Sequence, residues 1–275
     1  MEVKEVIGRR RTIRFYLPFR PVERDKIEKM LEAARRASCV GNVNNTGAVV
    51  IWREQAGPDL LRAITPGLGY QQMQTAPCFI LWYNETAAYE IEHWISTLLG
   101  LADQRRIGTE AEATRQQIQR NIRPLFAATW QQQAVGPLAF MDVGQAIAQA
   151  TLVAYDEGLA TCCMSSPRID TLKPLLGLPD SAIPVCLMSV GYPAESFEAG
   201  GQTNKAPFET LFFEMKHGVP FQQNPAVQED LKREKLVQEP APLPWRDAEL
   251  AYVMRALELE DRPAGSGLRP PGQPG

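Results

Sequence analysis

The chain has few of the residues on which metal and acid–base catalysis usually depend. Its 275 residues include only two histidines, His93 and His217, which lie far apart in sequence. The five cysteines are an odd number and show no C-x-x-C spacing. These counts argue against a zinc site, a disulfide framework and a histidine-based nucleophilic triad. We therefore expect no metal, and free thiols in a reducing compartment.

Long apolar runs and a strong net charge are missing as well. No stretch approaches the roughly 20 apolar residues of a membrane span, and the N-terminus MEVKEVIGRRRTIRF lacks the apolar run of a signal peptide. The formal net charge of −3 gives no general reason to bind nucleic acid or anionic membrane. Hydrophobic residues make up 44% of the chain, enough for a substantial core. We expect a cytoplasmic protein with one core domain and neither a nucleic-acid nor a membrane partner.

Hydrophobic patterning predicts strands that are separated by helices. β-rich apolar runs predict buried strands at residues 47–52, 78–83 and 183–190. Helical spacing and start signals predict helices over residues 22–38, 59–64, 142–157, 170–176 and 247–260. The helix over 142–157 is apolar on nearly every side, so we expect it to be buried and to end at Gly158. Such a pattern favours an α+β or α/β sheet domain.

Two regions differ from this pattern. Residues 85–133 are polar and helical, with a helix breaker at Pro124, and we interpret them as an insertion over the core. After about residue 218 the composition shifts toward Pro, Gln and Glu, and residues 263–275 are rich in Gly and Pro. We expect a core domain over 1–218, an extension over 219–262 and a flexible tail.

Three segments carry possible chemistry. Residues 8–14 (GRRRTIR) place four arginines and a hydroxyl together, which suits a doubly charged phosphate, although a solvated basic face or a nucleic-acid patch has the same composition. The polar loop 37–46 (ASCVGNVNNT) would suit a planar heteroaromatic ring or serve as an ordinary helix-to-strand connection. The small residues of 158–166 (GLATCCMSS) would suit a ligand or pack in the core.

A series of short motifs follows one another along the chain. Arg10-Arg11-Thr12-Ile13-Arg14 precedes a helix that ends in Glu32-Ala33-Ala34, and the loop 38–46 comes next. Further on are AP at 76–77, GLATC at 158–162, LGLP at 176–179 and GYP at 191–193. In this order the motifs resemble the nitroreductase family of flavoproteins, from about Val6 to Phe213 apart from the insertion. The family's Gln-Pro-Trp is replaced here by Asn44-Asn45-Thr46.

The resemblance implies an α+β fold with a central, mostly antiparallel sheet flanked by helices. It also implies an intertwined homodimer with two FMN sites at the interface, each built from both subunits. The extension over 219–262 would lie across the partner; packing on its own subunit is the alternative.

The phosphate and ribityl chain of FMN are assigned by the resemblance to the basic motif and to a lysine near the end of the domain. These residues are Arg10, Arg11, Thr12, Arg14 and Lys205, the last standing where the family often has an arginine before Pro-Leu-Glu. An FMN phosphate carries about −1.5 to −2 charges near neutral pH, which suits such a group of cations.

The flavin ring is assigned to two further segments and one glutamine. The second subunit would contribute Ser38, Cys39, Val40 and Asn42. The ring would lie along Cys163, Met164, Ser165 and Ser166, with one backbone N–H bonding flavin N5. Gln71 or Gln72, preferably Gln72, would face the pyrimidine edge, where an amide can both donate and accept.

Substrate contacts are expected from the loop and the insertion. Asn45 and Thr46 stand at the position of the altered family motif. Phe126 or Trp130 would cap the substrate site, or else both would simply pack the insertion against the core.

The activity implied by the resemblance is ping-pong reduction of nitroaromatic, quinone or activated-alkene acceptors by NADH or NADPH through flavin N5. No side-chain acid or base is needed, since solvent can supply protons. A specialised flavin enzyme of the same fold (a dehydrogenase, dehalogenase or flavin-degrading enzyme) or a non-catalytic FMN-binding protein would share the same motifs. The sequence leaves these alternatives open.

Overall fold

The computed structural model describes residues 2–64, 71–164 and 169–259, which form one β-sheet with helices around it. The described strands are β1 (Thr46–Trp52), β2 (Cys78–Glu85), β3 (Ala160–Met164) and β4 (Ala182–Gly191). The described helices are α1 (Val3–Arg9), α2 (Arg24–Arg35), α3 (Pro58–Ile64), α4 (Gln71–Thr75), α5 (Ile91–Asp103), α6 (Ala111–Gln117), α7 (Arg123–Ala134), α8 (Pro137–Asp156), α9 (Leu172–Leu176), α10 (Pro225–Arg233) and α11 (Arg246–Ala256). The predicted tail over 263–275 lies outside the described residues.

The described strands pair in the order β1-β2-β4-β3, and every neighbouring pair is antiparallel. This confirms the expected α+β fold with an antiparallel central sheet. β1, β2 and β4 each lie within two residues of their predicted bounds. The short β3 is an edge strand, so one side of its backbone is open to pairing with other segments.

Two apolar layers cover the two faces of the sheet. On β2, Ile80 and Trp82 join the layer formed with α2 and α8, whereas Phe79 and Leu81 join the layer on the opposite face. Successive strand residues point to opposite faces, so this alternation buries both sides of β2. Each fully buried side chain of this size stabilises the fold by about 1.5–3 kcal/mol.

The buried helix α8 leads directly into β3. Its end is a Schellman cap, in which Gly158 (φ 76°) donates to the carbonyl of Tyr155 at 3.0 Å and Leu159 donates to that of Ala154 at 2.8 Å. The expected C-terminal glycine is therefore present. The helix begins earlier than predicted, at Pro137, because proline is compatible with the first turn of a helix. This first turn exposes Leu138 and Phe140, so it lacks the buried pattern of the rest of the helix.

The insertion consists of α5, α6 and α7 packed on a third apolar cluster. Pro124 does not break the helical path as predicted. A π-helical turn over Ile118–Ile122 joins α6 to α7, and Pro124 occupies the first turn of α7. The wider π turn accommodates a residue that cannot donate to the preceding turn.

The two ends of the described chain pack against each other. A Cβ at Gly8 in α1 would lie 2.0 Å from the carbonyl oxygen of Lys235, so only glycine permits this contact. The extension continues past Gln202, whose carbonyl accepts from Ala241 at 2.9 Å, and ends in α11. Residues 235–257 thus lie on their own subunit. Within the described residues, no helix has the length and apolar character needed to cross a membrane.

Candidate functional site

The basic segment lies along the open edge of β3. Thr12 pairs with Thr161 in a parallel bridge, and the backbone N–H of Ile13 donates to the Thr161 carbonyl at 3.2 Å. Burial raises the pKa of Cys162 to about 11, and the nearby Arg14 guanidinium opposes this rise. The fold therefore places the basic segment beside the small residues of 160–164, although nearly 150 residues separate them in sequence.

A buried carboxylate holds the backbone of this segment. Glu195 accepts from the backbone N–H groups of Arg14 at 2.7 Å and Phe15 at 3.2 Å. Its other oxygen forms an ion pair with Arg246 of α11 at 2.7 Å, and the Glu195 side chain is 1% exposed. α11 of the extension is thereby connected to the segment that carries the candidate site.

A cavity of about 240 Å³ opens beside the basic segment. Four cationic side chains line it, Arg10, Arg11, Arg14 and Lys205, together with the polar residues Thr12, Gln202 and Thr203. None of the described lining residues is acidic. The cavity is therefore strongly electropositive and suits an anion.

The arginines of the segment differ in what they bind. Arg9 pairs with Glu5 at 3.1 Å and Glu198 at 3.3 Å. The buried Arg11 donates to the carbonyls of Gly8 and Gly201, and burial lowers its pKa. The prediction that Arg11 binds phosphate is therefore not supported, because carbonyls of its own chain occupy its guanidinium.

Three predicted cations keep their donors available. Among the described residues, the side chains of Arg10, Arg14 and Lys205 make no hydrogen bond or ion pair. Arg14 and Lys205 are exposed and Arg10 is partly exposed. They are the groups at this cavity that can bind an incoming anion without breaking existing bonds.

Gln72 lies against the far end of β3. Its side chain is 2% exposed, its Nε2 donates to the sulfur of Met164 at 3.1 Å, and its Oε1 has no partner among the described residues. Cys163 is exposed as a residue, but its thiol contacts Cys186, and this contact raises the pKa of Cys163 and lowers that of Cys186. The predicted Ser165 and Ser166 lie outside the described residues.

The loop 38–45 lies at the other end of α8 in the same chain. The backbone N–H of Val40 donates to Asp142 Oδ2 at 3.0 Å, whereas the basic segment adjoins Tyr155 and β3. Asp142 and Tyr155 are separated by 13 residues of α8, or about 20 Å at 1.5 Å per residue. A single chain therefore does not bring Ser38, Cys39, Val40 and Asn42 to the basic cavity.

The comparisons with known proteins agree with this architecture. A model of the nitroreductase family matches residues 7–192. The chain belongs to the nitroreductase family. The comparison with curated proteins found no match.

Solved structures share the nitroreductase fold at low sequence identity. A nitroreductase-like protein from Streptococcus mutans has a TM-score of 0.59 and 22% identity, over 77% of this chain and 96% of that chain. A candidate NAD(P)H:FMN oxidoreductase from Staphylococcus epidermidis has a TM-score of 0.62 and 15% identity, over 78% and 96%. A candidate nitroreductase from Exiguobacterium sibiricum, solved in complex with FMN, has a TM-score of 0.56 and 20% identity, over 75% and 94%.

The three predicted substrate residues of this nitroreductase-family chain have other surroundings. Asn45 is fully buried and donates to Asn84 Oδ1 at 2.8 Å and to the Ala139 carbonyl at 3.0 Å, so it cannot reach a substrate directly. Thr46 is half-buried at the start of β1. Phe126 stacks on Trp94 with ring centroids 3.9 Å apart. Phe126 and Trp130 both pack in the insertion's own cluster, which favours the packing alternative.

Several residues that build the site were not predicted from the sequence. Glu195, Gln202 and Arg246 lie far from the basic segment in sequence and were not identified. The adjacent Gly200 and Gly201, both with positive φ, mark the turn that brings Gln202 to the cavity. That glycine pair was the available signal, since such a pair indicates a close backbone approach.

Proposed function

We propose that this chain is an FMN-dependent oxidoreductase that uses NADH or NADPH to reduce small nitroaromatic, quinone or activated-alkene acceptors. Membership of the nitroreductase family and the fold it shares with an FMN complex support this proposal. The observation that carries it is the convergence of the available side chains of Arg10, Arg14 and Lys205 on one cavity beside β3.

The residues of the cavity fit the phosphate end of FMN. A dianionic phosphate needs several cationic donors, and Arg10, Arg14 and Lys205 supply them without an acidic neighbour among the described lining residues. Thr12 adds a hydroxyl at the same cavity. A nucleic-acid patch would also be basic, but one small cavity suits a single phosphate better than an extended backbone.

The ring end of FMN would extend along β3. Cys163 is an exposed residue of this strand, and the Oε1 of Gln72, which has no partner among the described residues, is an acceptor suited to the ring's N–H group. Bound FMN would supply the redox chemistry between a nicotinamide and an acceptor. The chain's own residues would anchor the phosphate, orient the ring and leave proton supply to solvent.

We further propose that the working form is a homodimer in which the partner's loop 38–42 completes each site. The separation of about 20 Å along α8 between this loop and the basic segment supports the proposal, because one chain holds only part of the expected contacts. Ser38 and Asn42 are exposed on the loop and therefore accessible to a second chain.

The purified protein tests the proposal directly. We expect about one FMN per subunit, seen in its absorption spectrum or by titration, and oxidation of NADH or NADPH that depends on an added acceptor. A preparation that stays colourless after incubation with FMN and gel filtration would refute the proposed cofactor. FMN binding without acceptor-dependent oxidation would leave a binding protein or a specialised flavin enzyme.

A further inference from the structure

Asp142 places a buried carboxylate on α8, beside the loop 39–44. It is 1% exposed, and among the described residues no cation pairs with it. Its Oδ2 accepts from the backbone N–H of Val40 at 3.0 Å, whereas its Oδ1 has no partner in the described part of the chain. Burying a carboxylate in this way costs free energy that an apolar residue would avoid. The one hydrogen bond that the Asp142 carboxylate makes within the described residues therefore indicates its role, which is to hold the loop.

The loop that Asp142 binds needs such a restraint. Gly41, Asn42 and Asn44 all have φ between 53° and 56°, a region that asparagine tolerates but most residues avoid. A Cβ at Gly41 would lie 2.6 Å from Trp94 Nε1, so the loop is pressed against the insertion. Residues with a left-handed backbone conformation are strained, and this conformation persists only where contacts with the surrounding structure fix it.

Two helices hold consecutive residues of the loop from different sides. α8 provides the Asp142 carboxylate for the N–H of Val40, and α5 provides the Thr97 hydroxyl, which donates to the Gly41 carbonyl at 3.0 Å. The other hydrogen bonds of the loop in the described part of the chain are internal, such as the N–H of Asn44 to the Cys39 sulfur at 3.4 Å. Of the two helical contacts, only that of Asp142 involves an ionisable group, which makes it the stronger one.

We propose that Asp142 is a positioning residue that fixes the loop 39–44 in the conformation in which it completes the partner subunit's cofactor site. The second half of this statement depends on the proposed function, whereas the first half concerns the fold alone. Asp142 touches no cofactor in this scheme and acts only through Val40.

Hydrogen exchange and FMN affinity together test the proposal. In Asp142→Ala, amide exchange of the peptide covering 39–44 should be at least about tenfold faster, and FMN binding about tenfold or more weaker, the scale of one hydrogen bond to a charged group. Asp142→Asn keeps a neutral oxygen acceptor for Val40, so both values should lie between those of Asp142→Ala and the wild type. Asp142→Leu, which lacks the acceptor but keeps the volume, serves if the alanine variant does not fold.

Thr151→Ala is the matched control. Thr151 lies on the same helix and is 8% exposed, and within the described residues its hydroxyl bonds only to the Ala148 carbonyl of its own helix. It should change neither loop exchange nor FMN affinity. Unchanged exchange in Asp142→Ala and Asp142→Leu, or equal effects in Thr151→Ala, would overturn the proposal. Faster exchange with unchanged FMN affinity would overturn its link to the cofactor. A wild-type protein that binds no FMN would refute the proposed function, and the exchange data would still decide whether Asp142 holds the loop.

Discussion

Neighbouring arginines in the N-terminal segment have different partners. Arg9 and Arg11 are engaged by groups of their own chain, whereas Arg10 and Arg14 extend toward the cavity with their donors available. Of two arginines at adjacent positions, one can therefore have a structural role and the other a ligand-binding role. This division provides a control for mutagenesis that lies within the same motif.

Replacing Arg10 or Arg14 with alanine should weaken FMN binding by roughly 1.5–3 kcal/mol, the contribution of a hydrogen bond to a charged group. Arg9→Ala removes the same charge from the same segment but breaks only partly exposed ion pairs, so FMN affinity should change little. Titration of FMN into each apoprotein, followed by flavin fluorescence, measures the difference. Equal losses in all three variants would mean that general charge and not the proposed contacts determines affinity.

At the scale of single residues, the sequence predicts which chemical groups meet at a site better than it predicts whether each side chain is buried or exposed. The basic motif and Lys205 were predicted to meet, and they line one cavity. Asn45 was predicted to contact substrate, yet its amide is buried between Asn84 and Ala139. Whether a polar side chain faces solvent depends on which distant segments cover it, and local sequence carries little of that information.

Among the structural elements, α11 has an effect beyond its own packing. Its Arg246 pairs with Glu195, and Glu195 binds the backbone of Arg14 and Phe15. Glu249 of the same helix accepts from the backbone N–H of Ser196 at 2.6 Å. The C-terminal extension therefore stabilises the segment that carries the candidate phosphate site.

Glu195→Ala should lower the free energy of unfolding by about 1.5–3 kcal/mol, since the backbone N–H groups of Arg14 and Phe15 lose their charged acceptor. Arg246 keeps its ion pair with Glu249 at 2.7 Å, which limits the loss. The same change should weaken FMN binding, because the backbone of Arg14 loses its acceptor. Urea denaturation and FMN titration give the two values. Glu198→Ala is the control: its pair with Arg9 is about one third exposed, so the expected cost is at most about 1 kcal/mol. Comparable costs for both variants would contradict the proposed role of Glu195.

The elements that were predicted well are those with long apolar patterns. The strands β1, β2 and β4 and the helix α8 have such patterns, whereas the short helices α1 and α10 were not predicted. α1 exposes Val3 and Ile7 and buries only two residues, so its periodicity is weak. α10 has no fully buried residue, although Asn224 followed by Pro225 is a usable start signal.

At the scale of the whole molecule, residues 207–222 form an exposed apolar arm. All hydrogen bonds of this segment in the described chain are made within it, and Leu211, Phe212 and Phe221 are each about half exposed. Exposed apolar residues of this size commonly mark an interaction surface. The dimer-wrapping role predicted for residues 219–262 stays a prediction for the part before residue 235, whereas residues 235–257 lie on their own subunit.

A shared site predicts that two defective chains can restore one another. One variant carries Arg10→Ala and Arg14→Ala, and the other carries Ser38→Ala, Cys39→Ala and Asn42→Ala. In a heterodimer of the two, one site receives both defects, whereas the other receives an intact basic segment and an intact loop. Co-expression with two different affinity tags and sequential purification should therefore yield about one FMN per heterodimer, half the wild-type value, although each homodimer binds almost none. A site built within one chain would leave every site in the heterodimer with one defect and thus no restored binding. Heterodimers as empty as the parent homodimers, with all variants folded by circular dichroism, would show that the loop and the basic segment do not meet across the interface.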